Sequence, residues 1–369
     1  MDFSFTEEQE AVRGLAEQVF TGRATVERVK AVEASEDRMD CELWKELAAT
    51  GLLGIGLPEA YGGAGLGLVE VALVLQQQGR RVAPVPYWPT VVLGALALAE
   101  FGTAAQRARW LPAVVDGEAV LTAALEPDPG GEALAPTVTA RADGDRWRLD
   151  GASLSVPALP VADAVLVPAA TDDGAKLFLV EASGTGVSIE AADTTSRARH
   201  GHLTLAEAPA EALADDPGAP AWLYQRALVG LAAMALGVCE EAIRLAAEYT
   251  SEREQFGRPL STNQGVVLRA ADAYIAIEAI RATLWQAAWR LDEGLPAAEQ
   301  VEVAHWWASD GGTKVVLATQ HLHGGMGADI DYPVHRYFLW GKHIGDLLGG
   351  PSAHLARLGD LIAEGAGHG

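Results

Sequence analysis

Cysteine is almost missing from this chain of 369 residues, which carries only Cys41 and Cys239. That excludes a disulfide framework and any four-thiolate metal centre, and it fits a reducing cytoplasm. Basic residues are scarce as well: 27 Lys and Arg stand against 50 Asp and Glu, a net charge of -23. That sign repels phosphodiester backbones and anionic lipid surfaces, so no nucleic-acid or membrane partner is expected. The opening MDFSFTEEQEAVRGL has neither a basic n-region nor an apolar h-region, so no secretory signal is expected. The longest apolar stretches, such as Leu228 to Cys239, fall short of the ~20 residues a hydrocarbon core demands. Neither a GxGxxG turn nor a Walker loop occurs.

What is present is apolar material in quantity, 49% of residues, enough for a large buried core. At roughly 150 residues per domain the length allows two or three domains. Three zones appear, giving an α+β chain with a helical domain over 1–118, a middle antiparallel β-domain over 119–219 and a helical bundle over 220–369. Thr6 and Gln9 form a capping box that starts a helix, with Ala11, Leu15 and Val19 at helical spacing. A second helix is expected from Leu43 to Leu57, ended by Pro58 and the glycines of PEAYGGAG, and a third through Val69 to Gln78. In the middle zone Asp143-Gly144 separates two alternating runs, a hairpin signal, and further strands are expected at 164–168, 176–180 and 201–205. Trp147 and Leu149 are read as packing residues. The third zone carries apolar stripes of period 3.6: Leu228 to Ile243, then Val267, Ala270, Ala271, Tyr274, Ile277 and Ile280, then Val315 to Leu322. Such helices pack as an antiparallel bundle.

Two segments could carry chemistry. In YTSEREQFGRPLSTNQ, Arg253 sits near a helix end, where it reads either as a solvated cation or as a forked donor aimed at a diphosphate. Phe256-Gly257 would make a tight apolar turn beside it. In QHLHGGMGADIDYP, Gly324 and Gly325 read either as a helix stop or as a place where main-chain donors approach an anion. His321 and His323 face different directions on a helix, so no metal pair is expected from them.

The order of motifs is more specific than any one of them. MDFSFTEEQ, LWKELAATGLLGIGLPEAYGG, FGTAAQRARWLPAVVDGE, REQFG, HGGMG and DYPVHR follow one another as in the acyl-CoA dehydrogenase family, which the chain resembles over essentially its whole length. The resemblance implies an amino-terminal helical domain, a middle β-domain and a carboxy-terminal four-helix bundle, with FAD at a subunit interface. It also implies α,β-dehydrogenation of an acyl-CoA thioester: a carboxylate removes the α-proton and the β-hydrogen leaves as hydride to flavin N5. Carried over to this chain, it assigns Arg253 to the FAD diphosphate of the neighbouring subunit, with Phe256 and Gln264 in the same adenine-side half. Gly324 and Gly325 match the family's glycine pair there, and His321 stands where most members have glutamine.

The resemblance also exposes losses. The usual family base, sixteen residues after the tyrosine of the Tyr-Pro motif, falls on Leu348, and the alternative base position falls on Ala227. Neither side chain accepts a proton. The family's Trp-x-Thr strand, which covers the flavin ring, aligns with Ser155, Val156 and Pro157. The family's Thr-Glu-Pro-x-Ala-Gly-Ser continues here, after Glu126-Pro127, as Asp128-Pro129-Gly130-Gly131, and Leu339-Trp340-Gly341 replaces Arg-Asp-Ala. The pattern, together with YPVHRYFLWGKHIGDLLGG, resembles the subunit lacking the base in actinobacterial α2β2 acyl-CoA dehydrogenases of steroid and lipid catabolism. This implies a paralogous partner carrying the glutamate, one FAD per heterodimer, and an electron-transfer flavoprotein as a candidate acceptor. Two other readings stay open: a homo-oligomeric flavoenzyme whose base has moved, with Asp346 the nearest acid, and a non-enzymatic acyl-CoA-binding homologue.

Overall fold

A computed structural model describes residues 4–127, 131, 134–144, 146–214 and 216–366. In chain order it contains α1 (Glu7–Arg23), α2 (Val26–Glu33), α3 (Cys41–Ala49), α4 (Leu68–Arg81), α5 (Leu96–Phe101) and α6 (Ala104–Val115). Next come β1 (Leu121–Ala123), β2 (Val138–Asp143), β3 (Arg146–Pro157), β4 (Ala164–Thr171), β5 (Gly174–Glu181), β6 (Val187–Asp193) and β7 (Arg199–Ala212). The long α7 (Ala219–Glu252) leads through β8 (Glu254–Gln255) and β9 (Arg258–Pro259) into α8 (Gln264–Asp292). The chain closes with α9 (Ala298–Trp306), α10 (Gly312–His323), α11 (Val334–Asp346) and α12 (Gly350–Ala366). These fall into two compact units, one drawn from residues 1–28, 72–83 and 228–369, the other from 29–71 and 84–227.

In the second unit α3 starts where Asp40, almost fully buried, accepts from the Glu42 and Leu43 amides at 3.2 and 3.1 Å. It stops at Ala49, because Gly51 turns left-handed (φ 75°) and short 3-10 turns replace the helix expected as far as Leu57. The sheet runs β1-β4-β2-β3-β7-β5, with β6 on β7, and β5 also pairs with β4, so the path closes on itself. β2 and β3 form the expected hairpin around Gly144 (φ 63°). The remaining pairings are antiparallel except β1–β4 and β2–β4, which are parallel. β1 and β6 carry no alternation long enough to be seen in the sequence. Inside lie Leu149, Val156, Val167, Phe178, Leu203 and Leu205, with Trp147 packed on the edge of that cluster.

In the first unit α1 begins at the expected capping box, Thr6 and Gln9 each bonding the other's backbone amide. The stripe expected on α7 is broader than one face: every residue from Ala227 to Cys239 is buried, as in a helix surrounded on all sides. Small residues make this possible. A Cβ on Gly237 would lie 1.9 Å from the Gln76 carbonyl oxygen, and one on Gly79 would lie 2.1 Å from that of Met234, so α4 and α7 cross backbone to backbone. The stripe expected on α8 is buried only in its later part. Ile277 and Ile280 are inside, whereas Val267, Ala271 and Tyr274 are exposed together with Leu268 and Ile275.

The crossing has a direct test. Gly237→Ala cannot be absorbed by a flexible neighbour, because the obstructing atom is backbone; overpacking of this kind costs about 3 kcal/mol. Urea unfolding should show at least that order of loss, and a variant as stable as the parent would contradict the close crossing.

Candidate functional site

The connection between α7 and α8 is built as a presentation loop. The Arg253 amide donates to the Tyr249 carbonyl at 2.9 Å, closing the last turn of α7, and the Arg253 carbonyl accepts from the Leu260 amide at 2.9 Å. Between these anchors β8 and β9 pair as a two-residue hairpin whose tip is Phe256 (φ 56°) and Gly257 (φ 75°). Two left-handed residues give the turn whose twist matches the strands, and glycine takes that conformation freely. Phenylalanine does not, at about 1 kcal/mol, and yet its ring is 98% exposed. A strained, solvent-facing aromatic contributes nothing to this chain's own core, which marks it for contact with something else.

Arg253 is exposed, and among the described residues its guanidinium has no hydrogen-bond or ion-pair partner. Its neighbours differ. Arg81 and Arg244 pair with the buried Glu241, and Arg281 pairs with Glu240 at 2.7 Å. Gln264 opens α8 after Asn263, whose side chain makes no capping bond, leaving the Gln264 and Gly265 amides open to an outside acceptor while the Val266 amide donates to the Asn263 carbonyl at 3.0 Å.

The second segment lies at the end of α10. His323 ends the helix, and Gly324 follows in a conformation open to glycine (φ 58°, ψ −135°). Nothing lies within 4 Å of a Cβ built on Gly324 or Gly325, so this turn borders open space, with the Gly324 amide already donating to the His321 carbonyl. The turn is held from behind, where the Gln320 amide nitrogen donates to the Gly327 carbonyl at 3.2 Å. His321 is exposed and His323 is buried, the opposite orientations expected of residues two apart on a helix. The structure ties the two segments together: the His323 ring stacks on Tyr249, centroids 4.8 Å apart, one turn before Arg253.

The two positions that the sequence resemblance assigns to the family base, Leu348 and Ala227, carry apolar side chains and are buried. Leu348 is 2% exposed and sits in a left-handed backbone (φ 57°), followed by Gly349 and Gly350, also at positive φ. Ala227 is fully buried, and its carbonyl accepts from the Trp88 indole at 3.1 Å. Asp346, the nearest acid to Leu348, has a side chain 70% exposed, 4.0 Å from the Lys342 ammonium. It is therefore a solvated surface carboxylate, at the end of α11 and turned away from the buried Leu348.

Close to that loop is a polar cluster that the sequence spacing did not reveal. Glu302, almost fully buried, accepts from His354 Nδ1 at 2.7 Å and from Arg357 Nε at 2.9 Å. The His305 ring stands edge-on to His354, centroids 4.3 Å apart. Desolvation pushes His305 well below its ordinary value and His354 adds to this, while the Leu347 backbone opposes it. His305 is thus neutral, and Glu302 is held between His354 and Arg357.

The strand expected to face a flavin ring is reorganised. β3 and β7 lose register between Ser153 and Val156, and Ser155 turns left-handed (φ 53°). Two histidines of β7 occupy its polar groups. His202 Nδ1 accepts from the Ser155 amide at 3.3 Å, and His200 Nδ1 lies 2.8 Å from the Ser155 carbonyl and 3.0 Å from its hydroxyl. The Pro157 carbonyl accepts from the Thr122 hydroxyl at 2.6 Å, and proline has no amide to offer. Of the other sequence departures, Gly341 packs α11 on α10, since a Cβ there would meet Val316 at 2.6 Å. Asp128, Pro129 and Gly130 lie outside the described residues, whereas Gly131 is described.

Residues 6–118 match the N-terminal domain of acyl-CoA dehydrogenases, and residues 224–358 match the C-terminal domain. The chain belongs to the acyl-CoA dehydrogenase family. It is 40% identical to acyl-CoA dehydrogenase FadE27 of Mycobacterium tuberculosis, over 99% of both chains. Among solved structures, a variant of the Tcur3481-Tcur3483 steroid ACAD is 54% identical with a TM-score of 0.95, covering 98% of this chain and 99% of that one. The ChsE4-ChsE5 complex from Mycobacterium tuberculosis is 40% identical with a TM-score of 0.93, covering 99% of both chains. Acyl-CoA dehydrogenases are FAD-dependent oxidoreductases acting on CH–CH bonds, and FAD is the cofactor here. No helix among the described residues is long and apolar enough to cross a membrane.

The unpaired forked cation at 253, with the start of α8 at 264 and a glycine turn at 324–325 that borders open space, fits a diphosphate. The strand at 155–157, with its amide engaged and its proline, does not fit an isoalloxazine ring that needs hydrogen-bond donors.

Because burial lowers His200 from 6.5 to about 4, the unfolded chain takes up a proton in that window before the folded one does. Stability is full above pH 6.5 and falls as pH drops toward 4, by about 3 kcal/mol from this ring. Urea midpoints measured from pH 7 to pH 4 should therefore be less pH-dependent in His200→Asn, and an equally steep profile would contradict the assignment.

Proposed function

We propose that this acyl-CoA dehydrogenase chain is the subunit lacking the catalytic base in a heteromeric complex, where it completes an FAD site whose proton-abstracting glutamate belongs to a paralogous partner. The observation that carries this reading is the contrast between its two ends. Arg253 is exposed and unpaired beside an open glycine turn, while the base position is a buried leucine and the ring strand is closed by its own histidines. When bound, FAD supplies the acceptor for the β-hydrogen of the acyl-CoA thioester. Arg253 binds and orients the diphosphate, and the open Gly324-Gly325 turn lets the main chain approach the same anion, with the Gly325 amide as a donor. Phe256 and Gln264 border its adenine side. His321 lines the same turn. No residue of this chain removes the α-proton, because neither Leu348 nor Ala227 bears a proton acceptor.

The exposed face of α8, with Val267, Leu268, Ala271, Tyr274 and Ile275 at helical spacing, supports a partner there. The names of the relatives support its kind. Tcur3481-Tcur3483 is described as a steroid ACAD and ChsE4-ChsE5 as a complex, so the substrate proposed here is a bulky, steroid-derived acyl-CoA. An electron-transfer flavoprotein is the proposed electron acceptor, and the cytoplasm the proposed compartment.

Co-purification with the partner should give one flavin per two chains, with no turnover from this chain alone. Arg253→Ala in the co-expressed complex should lower FAD occupancy at least tenfold, consistent with loss of a charge-assisted fork of about 1.5–3 kcal/mol. Turnover by the isolated chain, or full occupancy in Arg253→Ala, would overturn the reading.

A further inference from the structure

Arg253 and the Gly324-Gly325 turn lie on different helices, and a diphosphate is gripped only if the spacing between them is held. The helix ends that carry them are joined by an aromatic cluster. His323 is 2% exposed and stacks on Tyr249, with an interplanar angle of 27° and centroids 4.8 Å apart. It also contacts Tyr332, of the Tyr-Pro segment before α11, at 5.5 Å. Its orientation is fixed from its own helix, since Nδ1 donates to the Thr319 carbonyl at 2.7 Å. Burial holds the imidazole below its ordinary value, so the ring is neutral and the proton sits on the nitrogen that makes this bond.

The placement is specific. Tyr249 is one helical turn before Arg253, to which it is bonded through the backbone, and His323 directly precedes Gly324. One flat contact therefore spans the distance between the two groups of donors. A leucine would fill the same volume without holding a face-to-face orientation, whereas preorganised donors must be kept within about 0.5 Å of their working geometry.

We propose that His323 is a positioning residue of the FAD diphosphate site, setting the spacing between Arg253 and the Gly324-Gly325 turn through its stack on Tyr249. This rests on the reading that Arg253 and the glycine pair serve the diphosphate. His323 itself touches no ligand and does no chemistry.

The test uses the co-expressed complex and measures the FAD dissociation constant by flavin fluorescence, alongside the melting temperature of the FAD-stripped complex. His323→Leu keeps the apolar volume and removes the flat stack; it should weaken FAD about tenfold while the stripped complex melts within about 2 °C of the parent. His323→Phe restores a ring and should recover most of that affinity. Parental affinity in His323→Leu overturns the proposal. So does equal weakening in Leu and Phe variants that follows a fall in melting temperature, because that is a purely structural role. Arg253→Ala measured in parallel separates the two readings. If it leaves FAD binding unchanged, the diphosphate assignment itself fails and this inference with it; if it weakens FAD while His323→Leu does not, only the role of His323 fails.

Discussion

A cation without a counter-charge, on a chain bearing a net charge of -23, is the constraint from which the functional reading follows. Arg80, Arg81, Arg244 and Arg281 of the same unit are consumed internally. Glu240 and Glu241 are nearly buried, and a buried carboxylate is tolerable only when cations and hydrogen bonds surround it, which Arg80, Arg81, Arg244 and Arg281 provide. Arg253 stands outside that network although acids are plentiful on the surface. Its backbone is tied at both its amide and its carbonyl, so the guanidinium is presented from a fixed base and free at its tip. Such an arrangement favours an anion brought from elsewhere, and the forked geometry favours phosphate oxygens over a single point charge.

The opposite end obeys the same rule of satisfying polar groups, with the reverse result. A strand that bonded a flavin ring would need backbone donors left free on one face. Here Ser155 in a left-handed conformation, the register shift of β3 against β7, and Pro157 leave no such face, and His200 and His202 take up the groups that the irregularity exposes. The departure of this strand from the family pattern is thus more than a missing tryptophan: the Ser155 amide, carbonyl and hydroxyl all have histidine partners.

Much of this was legible in the sequence because it is local. The Thr6 capping box, the Asp143-Gly144 hairpin and the Phe256-Gly257 turn depend on a few adjacent residues, and each appears where the sequence puts it. The opposed directions of His321 and His323 follow from helix geometry alone. Failures came where distant residues decide. Gly51 ends α3 early, the crossing at Gly79 and Gly237 buries α7 on every side, and the parallel pairs of β4 depend on strands far apart in the chain. The early part of α8 was read as core because its period is that of a packed helix, and periodicity cannot say whether the cover is the same chain or another. His200, His323 and the Glu302–His354–His305 cluster left no signal, since histidines at these spacings are ordinary until their partners from other elements are known.

The loop at position 348 shows why restoring one residue would not restore a site. Leu348 holds a left-handed backbone at a cost of about 1 kcal/mol, offset by burial of its side chain, which contributes on the order of 2 kcal/mol. Two glycines at positive φ follow, and Leu347 borders the desolvated His305. A glutamate in this place would bring a second carboxylate into a region where Glu302 already uses the available His354 and Arg357 donors, and an unpaired buried charge costs several kcal/mol. It would therefore either take up a proton and cease to be a base or displace the loop. The apolar character of position 348 is accordingly written into a neighbourhood of packing and hydrogen bonds, of which the leucine is only the part visible in the sequence.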